Sequence, residues 1–267
     1  MKAKEVYQYL LNGAIGIWKT TCDGFIIGDE NKEVKKLATC FKLTAKIVDA
    51  AIKDNIDMII MHEPLFSTDD FSEDLPLYDA IKKKKIVDSG IVVCRFHDHC
   101  HFTSPDYIHE GFIRSVGLDI EKRYERENFA VSRYDLTTPI SPRELGKIIE
   151  ERLGNDFVRI VGNIDRPIRT IILGLGGVNA QFVNYLFEPG ADLFITGEAG
   201  EVLLCEYIRD AEYYGANKSL MLLGHFGSEF AGMRYLAEKL NETVKTIVSI
   251  EGPIHVDMVI RRLRESC

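Results

Sequence analysis

The chain has no run approaching the roughly 18 consecutive apolar residues of a membrane span, and its opening, Met1-Lys2-Ala3-Lys4-Glu5, leads into no signal-peptide core. Both absences point away from membranes and toward a cytoplasmic protein. Disulfide chemistry is missing too. The six cysteines, Cys22, Cys40, Cys94, Cys100, Cys205 and Cys267, contain no CxxC and follow no regular spacing, so they read as reduced thiols. Acidic residues, 41, outnumber the 33 lysines and arginines, and the net charge of -8 disfavours nucleic-acid backbones and anionic membranes as partners. A basic run, Lys82-Lys83-Lys84-Lys85, ends a helix-like segment that starts at Leu77, where lysines complement the helix dipole. No Ser-His-Asp or Cys-His nucleophile arrangement is evident. Gly174-Leu175-Gly176-Gly177 fails the GxGxxG pattern and reads as a tight strand–helix turn, with phosphate contact the weaker alternative.

What is present is ordinary in bulk. An apolar fraction of 46% with 28% charged residues supplies a soluble core that needs no staple, and 267 residues fit one large or two medium domains. Helical spacing at 6–11 is followed by strands at 25–28 and 37–41, a helix at 44–53 capped by Thr44, a strand at 56–61, a helix from 77 and a strand at 91–96. A helix at 108–116 stops at Gly117. The charged stretch 123–128 is the expected lobe boundary, dividing 1–127 from 128–267. In the second lobe Ser141, Pro142 and Glu144 form a helix start with a capping box, running to 153. Strands are expected at 157–161, 169–175, 192–196 and 219–223, with helices at 179–187, 200–213 and 228–240. A strand at 245–250 and a helix at 256–265 close the chain and are candidates to pack on the first lobe. The alternation predicts an α/β fold of two similar lobes with mixed sheets.

Three apolar, strand-like runs end in metal-ligand chemistry: His62-Glu63-Pro64, His97-Asp98-His99-Cys100-His101, and Gly224-His225-Phe226-Gly227-Ser228-Glu229. Ligands in open α/β sheets collect beyond the carboxyl ends of parallel strands, and imidazole plus carboxylate suits zinc, iron or manganese. Alone, His62-Glu63 also fits an exposed loop. His97, His99 and His101 have period two, so an extended backbone would align all three. Asp98, His99 and Cys100 stay open as alternatives to His101. His225 and Glu229, four apart, share one helical face if Gly224 marks the turn. A carboxylate there can bridge two cations, although a first-turn dipole partner is the simpler use of Glu229. Thr196-Gly197-Glu198 ends another strand, from which Glu198 can reach a pocket.

On these residues the chain resembles the NIF-three-like, or dinuclear metal-centre, family, some of whose members are called GTP cyclohydrolase I type 2 homologues. The likeness spans nearly the whole chain, and its most specific parts are Ala-Asp-Leu-Phe-Ile-Thr-Gly-Glu at 191–198 and Gly-His-x-x-x-Glu at 224–229. The family's His-His-Pro is His62-Glu63-Pro64 here, and its His-x-x-x-Asp ends in His101. The two departures are opposite in kind and keep the ligand count and charge about the same. The resemblance implies a metal pair in a cleft between lobes and a ring-shaped homohexamer. It also implies two divalent transition-metal ions (Zn, Fe or Mn) on His62, Glu63, His97, His101, His225 and Glu229. Glu198 is the expected acid/base group. The expected activity is metal-dependent hydrolysis of a small phosphorylated or heterocyclic substrate. The competing expectation is a metal-binding scaffold, trafficking or regulatory ring without chemistry. An open coordination position would favour the first and a closed shell of protein ligands the second.

Overall fold

The computed structural model describes residues 1–16, 20–68, 70–124, 131–155, 158–178, 190–241 and 247–249. In chain order its first elements are α1 (Ala3–Asn12), β1 (Gly24–Ile27), β2 (Leu37–Cys40), α2 (Ala45–Lys53), β3 (Met58–Met61), α3 (Leu77–Ser89), β4 (Val92–Arg95), α4 (Asp98–His101) and α5 (Tyr107–Val116). Then come β5 (Ile120–Arg123), β6 (Ser132–Ile140), α6 (Pro142–Leu153), β7 (Arg159–Gly162), β8 (Ile168–Val178) and β9 (Leu193–Ala199). A π-helical turn (Glu201–Cys205) leads into α7 (Glu206–Tyr213), followed by β10 (Ser219–Leu222), α8 (His225–Asn241) and β11 (Ile247–Ser249). The chain divides into two compact units. One is Met1–Ile108 with the chain from Gly232 through β11; the other is His109–Ala231. The expected α/β class with two mixed sheets is what the chain forms.

The first unit's sheet has the order β1-β4-β3-β2-β11. β4, β3, β2 and β11 run parallel, and β1 pairs antiparallel with β4 at one edge. The C-terminal strand expected at 245–250 thus joins the first sheet. Every residue of β2 and β3 is buried, as expected for parallel strands covered on both faces. Burial of each Ile or Met in β3 stabilises by roughly 1.5–3 kcal/mol. α2 supplies part of the cover through Ile47, Val48 and Ala51, and Thr44 starts it by accepting from the Ile47 N–H at 3.4 Å.

The second unit's sheet has the order β5-β6-β8-β9-β10-β7. Parallel β8, β9 and β10 form its centre, with antiparallel neighbours on both sides. β5 and β6 escape the sequence pattern. β5 reads Ile-Glu-Lys-Arg, and β6 alternates only as far as Leu136 before running exposed past Pro139. α6 has the expected capping box at Ser141 and Glu144, and Gly154 ends it with φ +66°.

Four sequence expectations need correction. The lysine run lies mid-helix, because α3 continues to Ser89. Lys82 turns inward to donate to Leu65 O and Leu43 O, whereas Lys84 and Lys85 pair with Asp88 and Asp49. The 200–213 helix begins as a π-helical turn. Gly174–Gly177 is no turn: β8 runs on to Val178, with its register against β9 shifting between Gly174 and Gly177. The fourth, at 97–101, belongs to the site below. The expected helices at 179–187 and 256–265 lie outside the described residues, as does most of the charged stretch at 123–128. Among the described residues no helix is long and apolar enough to cross a membrane.

Candidate metal centre

In the first unit, β3 and β4 are parallel neighbours, so their carboxyl ends deliver His62 and His97 side by side. Their rings stack with centroids 4.4 Å apart. His101 joins them edge-on, 5.1 Å from the His62 ring and 5.2 Å from the His97 ring. One nitrogen from each of the three lies within 4.8 Å of those from the others. Glu63 approaches the same place, with Oε1 3.5 Å from His97 Nε2.

His97 and His101 meet for a reason the period-two pattern hides. The segment is not extended: Asp98–His101 forms one helical turn, closed by the His101 N–H on His97 O at 3.2 Å. Residues four apart then share a face, and His99 turns away. Its Nδ1 lies 2.7 Å from Asp23 Oδ2, with both side chains enclosed. Asp23, which nothing in the sequence singled out, anchors the whole turn. Its carboxylate accepts from the backbone N–H groups of His97 (2.5 Å), Asp98 (3.1 Å) and His99 (2.8 Å), donors that a helix start leaves unsatisfied.

The outer nitrogen of each clustered histidine is occupied. His62 Nδ1 lies 3.2 Å from Phe96 O, His97 Nδ1 3.0 Å from Asp98 Oδ1, and His101 Nδ1 3.4 Å from Asp106 Oδ2. Asp98 is itself fixed by Thr21 Oγ1 (2.7 Å) and the Cys22 N–H (3.1 Å). Burial pushes its carboxyl up, but the bonds from His97, Thr21 and Cys22 together hold it well below the usual carboxylate range. The Cys22 thiol, 3.5 Å from Asp98 Oδ1, is pushed up to about 12, chiefly by burial, with Arg95 opposing and Asp98 and Asp23 adding to the rise. The loop after β3 is tied by cations: Arg95 Nε donates to His62 O at 3.1 Å, Lys42 Nζ to Pro64 O at 2.6 Å, and Lys82 Nζ to Leu65 O.

The second unit also carries donor residues. Gly224, at φ +75°, turns the chain from β10 into α8, which starts at His225. His225 Nε2 lies 3.3 Å from Glu229 Oε2 one turn later, and His225 Nδ1 lies 3.6 Å from Glu198 Oε1. Because α8 begins three residues earlier than expected, Glu229 is past the first turn, which weakens the dipole explanation for it. Glu229 is 1% exposed, whereas the Glu198 side chain is 64% exposed. The glycine-rich stretch explains how a carboxylate fits there. Gly176, at φ +78°, lies against it, and a Cβ at Gly176 would collide with Glu229 Oε1. Ser228 Oγ accepts from the Gly176 N–H at 3.0 Å and donates to His225 O at 2.8 Å. A Cβ at Gly197 would lie 2.6 Å from the same Ser228 Oγ and 2.9 Å from His225 Cα.

Fold and donor groups together define a two-unit α/β protein carrying candidate His/Glu metal-ligand groups. The sequence matches the Duf34/NIF3 (NGG1p interacting factor 3) family over residues 1–255, and the chain belongs to that family. A "GTP cyclohydrolase 1 type 2 homolog" of Clostridium acetobutylicum is 24% identical over 239 residues, covering 87% of this chain and 86% of that protein. Among solved structures, a Staphylococcus aureus hypothetical protein superimposes with TM-score 0.77 at 17% identity, covering 97% of this chain and 98% of its own. A Bacillus cereus protein related to NIF3 gives TM-score 0.76 at 14% identity, covering 94% of this chain and 96% of its own.

Proposed function

We infer that the chain binds two divalent transition-metal ions and is a metal-dependent hydrolase of a small phosphorylated or heterocyclic molecule. The observation that carries this reading is the convergence of His62, His97 and His101, with Glu63 alongside. Imidazole nitrogens and a carboxylate are donors that zinc, iron and manganese accept. The ligands are His62, Glu63, His97 and His101 in the first unit and His225 and Glu229 in the second. When bound, the ions supply a water of lowered pKa and stabilise charge on the attacked centre. Glu198, exposed with Oε1 3.6 Å from His225 Nδ1, is the proposed acid/base group. The names of the curated relatives make GTP and related purine heterocycles the first substrates to try.

The protein is proposed to act in the cytoplasm as a ring-shaped homohexamer. Supporting self-association, α3 presents Leu77, Tyr78 and Ile81 to solvent at 68%, 82% and 56% exposure, neighbouring apolar side chains of the kind that mark interaction surfaces.

The test has two steps. Elemental analysis of protein purified without chelator should give close to two ions per chain. The metal-loaded protein should then hydrolyse a member of a phosphoester and cyclic-amide panel that includes GTP, and lose that activity in His97→Ala. Metal at full occupancy with no turnover across the panel would favour a non-catalytic scaffold or regulator.

A further inference from the structure

We propose that the second unit holds a binding site for a small amphipathic carboxylate, apolar along its body and anionic at one end. The site is the cavity bordered by α6, the end of α5 and the far part of β6. It shares no residue with the proposed metal ligands and stands whether or not the chain is a hydrolase.

The cavity exists because two neighbouring strands differ in length. β5 meets β6 from Ile120–Leu136 back to Arg123–Tyr134, and β6 continues past that register to Ile140. Pro139 lies in this overhang, where its missing N–H breaks no ladder. Between the overhang and α6 lies a cavity of about 650 Å3, within the range of small-molecule sites. Leu118, Leu136, Ile140, Leu145 and Ile148 line it. Leu136 and Leu145 also belong to the buried core, but Leu118, Ile140 and Ile148 stay half-buried. They offer apolar surface that the unit's own core leaves uncovered.

The charges around these walls select an anion. Glu144, Ile148 and Arg152 are spaced i, i+4, i+8 along one face of α6. Glu144 is committed to the helix start, where it accepts from Ser141 Oγ at 2.7 Å and the Ser141 N–H at 3.2 Å. Arg152, in the last turn, donates from Nη1 to Val116 O at 2.8 Å. Its guanidinium rests against Gly117, where φ is +68° and a Cβ would collide with Nη1. Among the described residues that is the hydrogen bond Arg152 makes, and it uses one of five N–H donors in a rigid fork. The rest of the fork suits a carboxylate, whose geometry it matches. Lys147 lines the same cavity, exposed, and adds a second positive charge. Asp119, also lining and exposed, opposes an anion. Two cations against one uncommitted carboxylate favour a single negative charge, and the apolar walls require the remainder of the ligand to be apolar.

The experiment titrates the full chain with decanoate by isothermal titration calorimetry. Decanol and acetate serve as probes that each lack one half of the ligand. One saturable site is expected for decanoate, tightening by up to about fourfold per methylene from hexanoate upward. Decanol and acetate should each bind roughly tenfold more weakly or worse. Arg152→Gln should weaken decanoate by about 10–100-fold and leave decanol unchanged, a split that a merely structural cap on α5 would not produce. Should that variant fail to fold, Ile148→Glu decides, because it puts a like charge on a half-buried helix face. It should abolish decanoate binding with the melting temperature near wild type. Asp119→Asn should tighten decanoate. The proposal is overturned if decanoate does not saturate, if decanol binds equally well, or if Ile148→Glu binds as wild type. If decanoate fails while Ile148→Glu changes the sedimentation coefficient, a second copy of the chain covers the cavity and the proposal falls. Decanoate affinity should be the same in His97→Ala and after chelation, so this site and the metal reading stand or fall separately.

Discussion

The two units carry donor groups of similar chemistry but build them differently. The first unit positions its histidines with side chains: Asp23 grips the turn that carries them, and Asp98 and Asp106 face their outer nitrogens. The second positions Glu229 with backbone, through two glycines that admit it and a serine that bridges helix and strand. A site held by side-chain acceptors can be retuned by single polar substitutions. One held by close backbone approach has little tolerance for any added atom.

The largest expected effect tests the first half of that contrast. Asp23→Ala leaves three backbone N–H groups and His99 Nδ1 without their acceptor, each costing about 1–3 kcal/mol if it stays buried. Thermal unfolding should show a loss of several kcal/mol, and metal uptake at the histidines should fall with it. A near-normal melting curve would mean that water or another group takes over and that Asp23 is no anchor.

Next is Gly176→Ala. Its positive φ alone should cost about 1–3 kcal/mol, and the methyl must displace Glu229. Chemical denaturation should show that loss, and Glu229 should cease to contribute to ion binding. If the variant is as stable as wild type with metal content unchanged, backbone does not set Glu229. Ser228→Ala sharpens the comparison with a smaller change, about 1 kcal/mol for the bond from the Gly176 N–H, measured the same way.

The smallest effect is one of pH. The Asp98 carboxyl is depressed in the folded chain, so its contribution is present above its unfolded pKa and is lost as pH falls through the folded one. Wild type should therefore lose stability on acidification more steeply than Asp98→Asn, in melts recorded from neutral pH down to about 3. Parallel profiles would remove Asp98 as the source.

Much of this was legible in the sequence, for identifiable reasons. Apolar runs bounded by Gly and Pro betray parallel strands, so β3, β4 and β10, and the donors just beyond them, stood out. Thr44 and the Ser141–Glu144 box announce helix starts because capping is local. What stayed hidden depends on partners remote in sequence. Asp23 is 74 residues from His97, and the turn it holds reads as extended when only the period of the histidines is considered. Gly174–Gly177 suggested a turn because nothing nearby in sequence reveals that Glu229 and Ser228 lie against it. β5 and β6 were missed because charged and exposed residues break their alternation.

The cations behind the His62–Phe66 loop have a further consequence. With the carbonyls of His62, Pro64 and Leu65 already held by Arg95, Lys42 and Lys82, the loop keeps its shape without an ion. Metal binding at this loop would then be uncoupled from folding, unlike small metal-organised domains that unravel when stripped. Amide hydrogens of residues 62, 63, 65 and 66 should exchange at similar rates in metal-loaded and chelator-treated protein, with the lobe intact in both.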